Sequence, residues 1–175
     1  MGEERHGKLI LVTGGQRSGK SEFAENLVMQ RSSCPVYLAT ARIFDKEMHN
    51  RVKKHQQRRG ENWKTIEEPL YVSDIDVNNN DVVLLDCLTL LGSNWFFENK
   101  GNTENALSHI KNQLEGLFRK GIDLIIVTNE IGMGGISDNE LQRKFTDLQG
   151  WLNQYVAKRA DEVYFLVSWI ATKIK

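Results

Sequence analysis

The 175-residue chain lacks several things that would have placed it in other classes. It holds only two cysteines, Cys34 and Cys87, far apart in sequence, so the disulfide frameworks of small secreted domains are excluded and a reducing compartment is expected. Two prolines and the absence of any low-complexity tract leave no basis for a linker or a disordered region. No apolar run approaches the ~20 residues needed to span a membrane. The residues before Lys8 have neither the apolar core of a secretory signal nor the serine or threonine that a myristoylation signal wants at the sixth position. Cytoplasm is the expected location. An excess of either charge is also missing: Lys plus Arg and Asp plus Glu number 23 each, so no overall field draws a polyanion and general nucleic-acid binding is not expected. With 40% hydrophobic and 26% charged residues, the composition is that of an ordinary globular protein. The length suits one core, giving a single domain over residues 1–175 with a loose tail at 1–7.

What is present begins at Leu9. Four apolar residues, Leu9 to Val12, run into Gly14, Gly15, Gln16, Arg17, Ser18, Gly19, Lys20 and Ser21, which is strand followed by G-x-x-x-x-G-K-S, a phosphate-binding loop. A triphosphate needs several backbone N–H groups aimed at one point, and glycines bend a chain that tightly without Cβ clashes. Lys20 adds a positive charge near the outer phosphates. The Ser21 hydroxyl is placed to ligate Mg²⁺ at the start of a helix whose dipole favours anions.

The rest of the chain reads as alternating strands and helices. Strand one, 8–13, is apolar on both faces, as in the centre of a parallel sheet. Ala24, Leu27 and Val28 recur at helical spacing after the loop. A strand over 36–40 delivers Ala39, Thr40, Ala41 and Arg42 to the sheet edge where ligands sit in α/β folds. A short strand is expected at 63–67. The run DVVLLD is a buried strand ending in Asp86, and an acid there, downstream of a phosphate loop, is the usual second Mg²⁺ ligand. Leu90, Leu91, Trp95 and Phe96 suggest a helix, with the Trp95-Phe96-Phe97 cluster read as core or subunit contact. Leu107, Ile110, Leu114, Leu117 and Phe118 mark another helix, with His109 beside its stripe as a surface or packing residue. The strand 122–128 opens into Asn129, Glu130 and a glycine-rich loop. Glu130 is therefore placed either to accept a proton or to anchor the loop through backbone N–H groups. Ser137 and Glu140 form the pattern of a capping box before a helix marked by Leu141, Phe145, Leu148, Leu152 and Tyr155. A last core strand spans 162–168, and the closing WIATKIK is an edge strand or a tail. The expected architecture is α/β, a mostly parallel sheet with helices on both faces.

One segment departs from this regularity. A helix over 45–59 would carry only Met48 and Val52 as apolar residues, while Arg51, Lys54, His55 and Arg58 fall at i, i+3, i+4 and i+7 on one face. Such a face either clamps polyphosphate or is simply solvated.

Taken together, TGGQRSGKSEFAE, YLATARIFDKEM, RVKKHQQRR, Trp63 to Glu67, LLDCLT, VTNEIGMGG and the closing KIK resemble the bifunctional adenosylcobinamide kinase/adenosylcobinamide-phosphate guanylyltransferase family of cobalamin synthesis. The resemblance runs from Leu9 to Lys175 in order, and the combined motifs are far narrower than a phosphate loop alone. It implies a RecA-like phosphate-loop domain with two activities. In the first, ATP or GTP gives its γ-phosphoryl group to the aminopropanol hydroxyl of adenosylcobinamide. In the second, a histidine attacks the α-phosphate of GTP, pyrophosphate leaves, and GMP passes to adenosylcobinamide phosphate. The resemblance implies His55, in the RVxxH position, as that nucleophile. It implies nucleotide contacts from Ala39, Thr40 and Ala41, from Gln56, Gln57, Arg58 and Arg59, and from Glu67 and Asp86, and it implies a homotrimer. A histidine attacks phosphorus only when neutral, and neighbouring Arg51, Lys54 and Arg58 would disfavour its protonated form and offset the charge of departing pyrophosphate. Trp169 stands where the family leads one to expect glycine. Two rival readings are a plain small-molecule kinase using the basic face as a phosphate clamp, and a RecA-like nucleotide-switched binding module. Against the latter stand the zero net charge and the lack of an aromatic-basic stripe.

Overall fold

The computed structural model describes residues 7–175, without the side chains of Met48, Arg51, His55 and Arg58. In chain order the elements are β1 (Leu9–Gly14), α1 (Lys20–Met29), β2 (Val36–Ala39), α2 (Lys46–Arg58), β3 (Lys64–Glu67), β4 (Val82–Asp86), α3 (Leu88–Glu98), α4 (Thr103–Phe118), β5 (Asp123–Asn129), α5 (Glu140–Arg159), β6 (Glu162–Val167) and β7 (Ile170–Lys173). The strands form one seven-stranded sheet in the order β3-β2-β4-β5-β1-β6-β7. Every pairing is parallel except β6 with β7. The expected α/β sheet with helices on both faces is what forms, and the phosphate-loop strand β1 lies inside it between β5 and β6. The closing segment is the edge strand of the two alternatives.

Alternation along the strands builds two cores. Leu9 and Leu11 of β1, with Leu85, Leu124 and Ile126, face α3, α4 and α5 through Leu91, Phe96, Ile110, Leu114, Leu152 and Val156. Ile10 and Val12, with Leu84, Ile125 and Val127, face α1 through Ala24 and Val28. A strand apolar at both parities is thus buried on both faces, as its sequence required. Each fully buried leucine or isoleucine in these layers stabilises the fold by about 1.5–3 kcal/mol relative to exposure. Trp95 and Phe96 belong to the core while Phe97 is exposed. His109 lies at the surface yet stacks on Trp95, with ring centroids 4.7 Å apart. Among the described residues no helix is long and apolar enough to cross a membrane.

Two local expectations are corrected and a third is accounted for. The tail expected at residues 1–7 falls on 1–6, outside the described residues, and on Gly7, which already sits against the backbone of Ile122. The chain is held there because Lys8 N–H donates to Asp123 Oδ1 at 2.9 Å. The cap of α5 is Asn139, whose side chain accepts from Gln142 N–H at 3.0 Å, in place of the box read at Ser137 and Glu140. Asparagine is among the strongest N-caps, and Glu140 instead pairs with Lys144 at 2.6 Å. Finally, Trp169 lies in the tight turn between β6 and β7, where Ser168 has φ 49° and Trp169 φ 70°. Left-handed backbone at a residue with a side chain costs about 1–2 kcal/mol, which is why glycine is the natural occupant of such a turn.

Candidate active site

The C-terminal ends of β1, β2, β4 and β5 converge on one cavity of about 900 Å³. The phosphate loop forms one wall. β1 ends at Gly14, where a Cβ would come within 2.6 Å of Leu166 O, so close packing against β6 requires glycine. Gly19, with φ 93°, turns the chain into α1. Gln16, Arg17, Ser18, Gly19, Lys20 and Ser21 all line the cavity. Lys20 is buried, and its Nζ donates to Gly15 O at 2.6 Å, holding the ammonium across the mouth of the loop. Burial pushes the Lys20 pKa down, opposed in part by the negative charge of Asp86. From β5, Glu130 N–H donates to Gly14 O at 2.9 Å, tying that strand end to the loop.

The opposite wall comes from β2, β4 and the end of α2. Sheet register puts Ala39, Asp86 and Val127 side by side, and all three line the cavity. Tyr37 donates from its hydroxyl to Asp86 Oδ2 at 2.9 Å. Burial first, and the Asp86 carboxylate second, push the Tyr37 phenol far up, so it remains a donor and orients the acid. Arg59 lies over the Tyr37 ring, its guanidinium carbon 3.3 Å from the centroid. Its side chain is 4% exposed, its Nη1 is 3.9 Å from Glu25 Oε1, and that nitrogen has no hydrogen-bond partner among the described residues. Cys87 also lines the cavity, with its thiol pushed up to about 12 mainly by burial, so it stays protonated and is no nucleophile.

Of the residues singled out by sequence, Ala41, Gln56 and Gln57 join Arg59, Ala39 and Asp86 in this lining, as does Lys54 from the basic face. Others lie elsewhere. Thr40 is fully buried, and its hydroxyl donates to Cys87 O at 2.8 Å and accepts from Cys87 N–H at 2.9 Å, so it fixes the β4–α3 turn. Glu67 is exposed at the end of the edge strand β3 and does not line the cavity. Glu130 is also outside the lining, and its carboxylate accepts from Gly132 N–H at 2.9 Å, the loop-anchor arrangement of the two alternatives. Gly14 and Gly15 are not among the lining residues. His55 and Arg58 belong by backbone to α2, but their side chains are outside the described ones. Sequence reasoning missed Tyr37, Thr65 and Asn129, all in the lining. Tyr37 carried no signal, because an aromatic in a buried strand looks like core.

Ser21 and Asp86 both line the cavity and offer a hydroxyl and a carboxylate, the hard oxygen donors that Mg²⁺ selects. Among the described residues no cluster of three or more His, Cys, Asp or Glu side chains could hold a metal by itself. Mg²⁺ sites commonly combine one or two protein ligands with substrate phosphates and water.

A family model for cobinamide kinase / cobinamide phosphate guanyltransferase matches residues 10–174. The chain belongs to this family. It is similar to the bifunctional adenosylcobalamin biosynthesis protein CobU of Escherichia coli, with 39% identity over 181 residues, 95% of this chain and 99% of the relative. The protein of the same description from Salmonella typhimurium is 36% identical over 181 residues, covering 95% of this chain and 99% of its own. The bifunctional adenosylcobalamin biosynthesis protein CobP of Pseudomonas aeruginosa is 34% identical over 172 residues, 94% of this chain and 96% of its own. Among solved structures, a prototypical ATPase from the type III secretion system of pathogenic bacteria superposes with a TM-score of 0.57 at 15% identity. The match covers 92% of this chain and 52% of that one, so this family member spans about half the ATPase's length. That likeness carries the fold, a RecA-like phosphate-loop domain.

Proposed function

We propose that this family member phosphorylates adenosylcobinamide with a nucleoside triphosphate and then transfers GMP from GTP to the product, giving adenosylcobinamide-GDP, both within one domain. The observation that carries the proposal is a single cavity walled on one side by the phosphate loop and on the other by Lys54, Gln56 and Gln57 of α2 with Arg59 just beyond it. A triphosphate seated on the loop faces the helix whose sequence contains His55.

The residues divide the work. Backbone N–H groups of the loop and Lys20 hold the outer phosphates and offset the negative charge that spreads over them in phosphoryl transfer. Ser21 and Asp86 would hold Mg²⁺, which when bound neutralises phosphate charge, and Tyr37 keeps the Asp86 carboxylate in place. For the second reaction His55 is the nucleophile toward the α-phosphorus. The histidine nitrogen forms a bond to phosphorus as the bridging oxygen leaves with pyrophosphate, and the terminal phosphate of adenosylcobinamide phosphate then displaces the histidine. Splitting one displacement into two lowers each barrier. A homotrimer in the cytoplasm belongs to the same proposal, and sedimentation at three times the chain mass is its measure.

The test is incubation with GTP labelled at the α-phosphate. Wild type is expected to take up a covalent label that acid releases and alkali does not, as a phosphoramidate does, and His55→Ala to take up none. Equal labelling of the variant would remove His55 from the mechanism. Phosphorylation of adenosylcobinamide without any labelling would leave the plain kinase reading.

A further inference from the structure

The turn between β6 and β7 contains the feature the proposed chemistry does not use. Trp169 occupies left-handed backbone, φ 70°, where glycine is the natural residue, and 61% of it is exposed. A bulky side chain held in that conformation, with little apolar burial in return, calls for a local reason. Its hydrogen bonds to the described residues supply one, because they fall on the phosphate loop and the first turn of α1. Trp169 N–H donates to Ser18 O at 2.8 Å. The indole covers Gly19 so closely that a Cβ there would lie 2.6 Å from Trp169 Cδ1. The indole Nε1–H reaches Glu22 Oε2 at 3.3 Å.

We propose that Trp169 is a positioning residue for the phosphate loop, clamping the Ser18–Gly19 peptide from behind so that its N–H is presented to the triphosphate. The geometry follows from the planar trans peptide, whose C=O and N–H point in opposite directions. Trp169 is not part of the cavity lining, whereas Ser18 and Gly19 are. With Ser18 O drawn toward Trp169 on the outside, Gly19 N–H is turned to the inside. The indole on the Gly19 face stops the glycine, otherwise free at φ 93°, from flipping that peptide. The clamp therefore shifts an ordering cost from nucleotide binding to folding, which is preorganisation. Residues that touch the phosphates are unchanged by it.

This inference rests on the reading that the loop holds a triphosphate, and the experiment separates the two. Calorimetric titration of wild type, Trp169→Gly and Trp169→Phe with GTP and Mg²⁺ is paired with thermal melts of the nucleotide-free proteins and steady-state kinetics. Glycine relieves the left-handed strain, so the melting temperature of Trp169→Gly is expected to stay level or rise. Its GTP dissociation constant and KM are expected to rise about fivefold, the scale of one segment's lost preorganisation, with kcat unchanged. Trp169→Phe keeps a ring on Gly19 and is expected to recover most of the loss. Wild-type affinity in Trp169→Gly overturns the clamp alone, as does a melting temperature that falls together with affinity, which marks a merely structural contact. Equal losses in the glycine and phenylalanine variants overturn it too. A wild-type protein that fails to bind GTP overturns the triphosphate reading and the clamp together.

Discussion

Arg59 offers the sharpest separation of binding from folding. Its guanidinium is taken out of water, since the side chain is only 4% exposed, yet its compensation within the chain is incomplete. The contact to Glu25 Oε1 is 3.9 Å, beyond hydrogen-bond range, and Nη1 is buried without a hydrogen-bond partner among the described residues. The stacking on Tyr37 at 3.3 Å contributes about 2 kcal/mol at best. Burying a charge costs several kcal/mol even after relaxation, so the guanidinium adds little net to the stability of the fold. A phosphate oxygen in the cavity would accept the unmet donor, and a hydrogen bond to a charged group contributes about 1.5–3 kcal/mol.

Arg59→Ala is therefore expected to change the free energy of unfolding by no more than about 1 kcal/mol, a typical single-substitution effect. It is expected to weaken GTP binding by about 10- to 150-fold, the affinity equivalent of that hydrogen bond. Arg59→Lys keeps the charge but neither covers the Tyr37 face nor offers a planar fork, so it should restore only a small part of the affinity. Denaturant unfolding and calorimetric GTP titration on the three proteins measure both quantities. A loss of more than about 3 kcal/mol in stability with GTP affinity intact would refute the reasoning, because Arg59 would then be a buried strut for Glu25.

Two further expectations concern other parts of the molecule. Lys8 first, then the Tyr164 hydroxyl, with Lys173 adding, hold the Glu162 carboxyl down at about 2 from an ordinary 4.5. The stability this contributes is fully present above pH 4.5 and is lost as pH falls through about 2, so Glu162→Gln should flatten the drop in melting temperature across that window, and parallel curves for variant and wild type would refute the assignment. Of the two thiols, exposed Cys34 should react with an aromatic disulfide reagent within minutes at neutral pH, while buried Cys87, its thiol pushed up to about 12, reacts only on unfolding; two fast thiols would contradict the burial.

Much of this was legible because each element carries its own period. β1 and β5 announce buried parallel strands by being apolar at both parities, and α4 shows its stripe at Ile110, Leu114 and Leu117, all fully buried. The phosphate loop is a local code, so Gln16 to Ser21 could be placed before any fold was known. The unreadable parts are those that depend on strand order. Nothing in Tyr37 distinguishes it from a core aromatic until β2 is found beside β4, which sets its hydroxyl on Asp86. The family resemblance placed Arg59 among the nucleotide contacts, but its seat on the Tyr37 ring, which separates it from the exposed lysines before it, depends on the fold. Thr40 misleads for the same reason: its segment reaches the sheet edge as expected, but its hydroxyl satisfies the Cys87 backbone across the β2–β4 pair. At α5 two adjacent signals competed, and a local asparagine cap prevailed over a box read three residues apart.

The two proposed reactions need different phosphorus atoms at one site, and the distribution of contacts decides which wall can adjust. The phosphate loop is tied to β5 through Gly14 O, to the β6–β7 turn through Ser18 O, and to Lys20 through Gly15 O. Moving it would break its bonds to β5 and to the β6–β7 turn, while the Lys20 bond braces the loop from within. α2 is the reverse case: among its described side chains only Val52 is half-buried and the others are exposed. Its sequence is rich in lysine, arginine and glutamine, which gain little from packing and lose much rotamer freedom when fixed. Just past its C-terminal end Arg59 is stacked on Tyr37. Low burial of its described side chains leaves α2 less firmly fastened, by those contacts, than the phosphate loop. On that energetic ground we propose that the loop is the fixed reference for the nucleotide, and that the helix bearing His55 is the wall that accommodates which phosphorus is attacked.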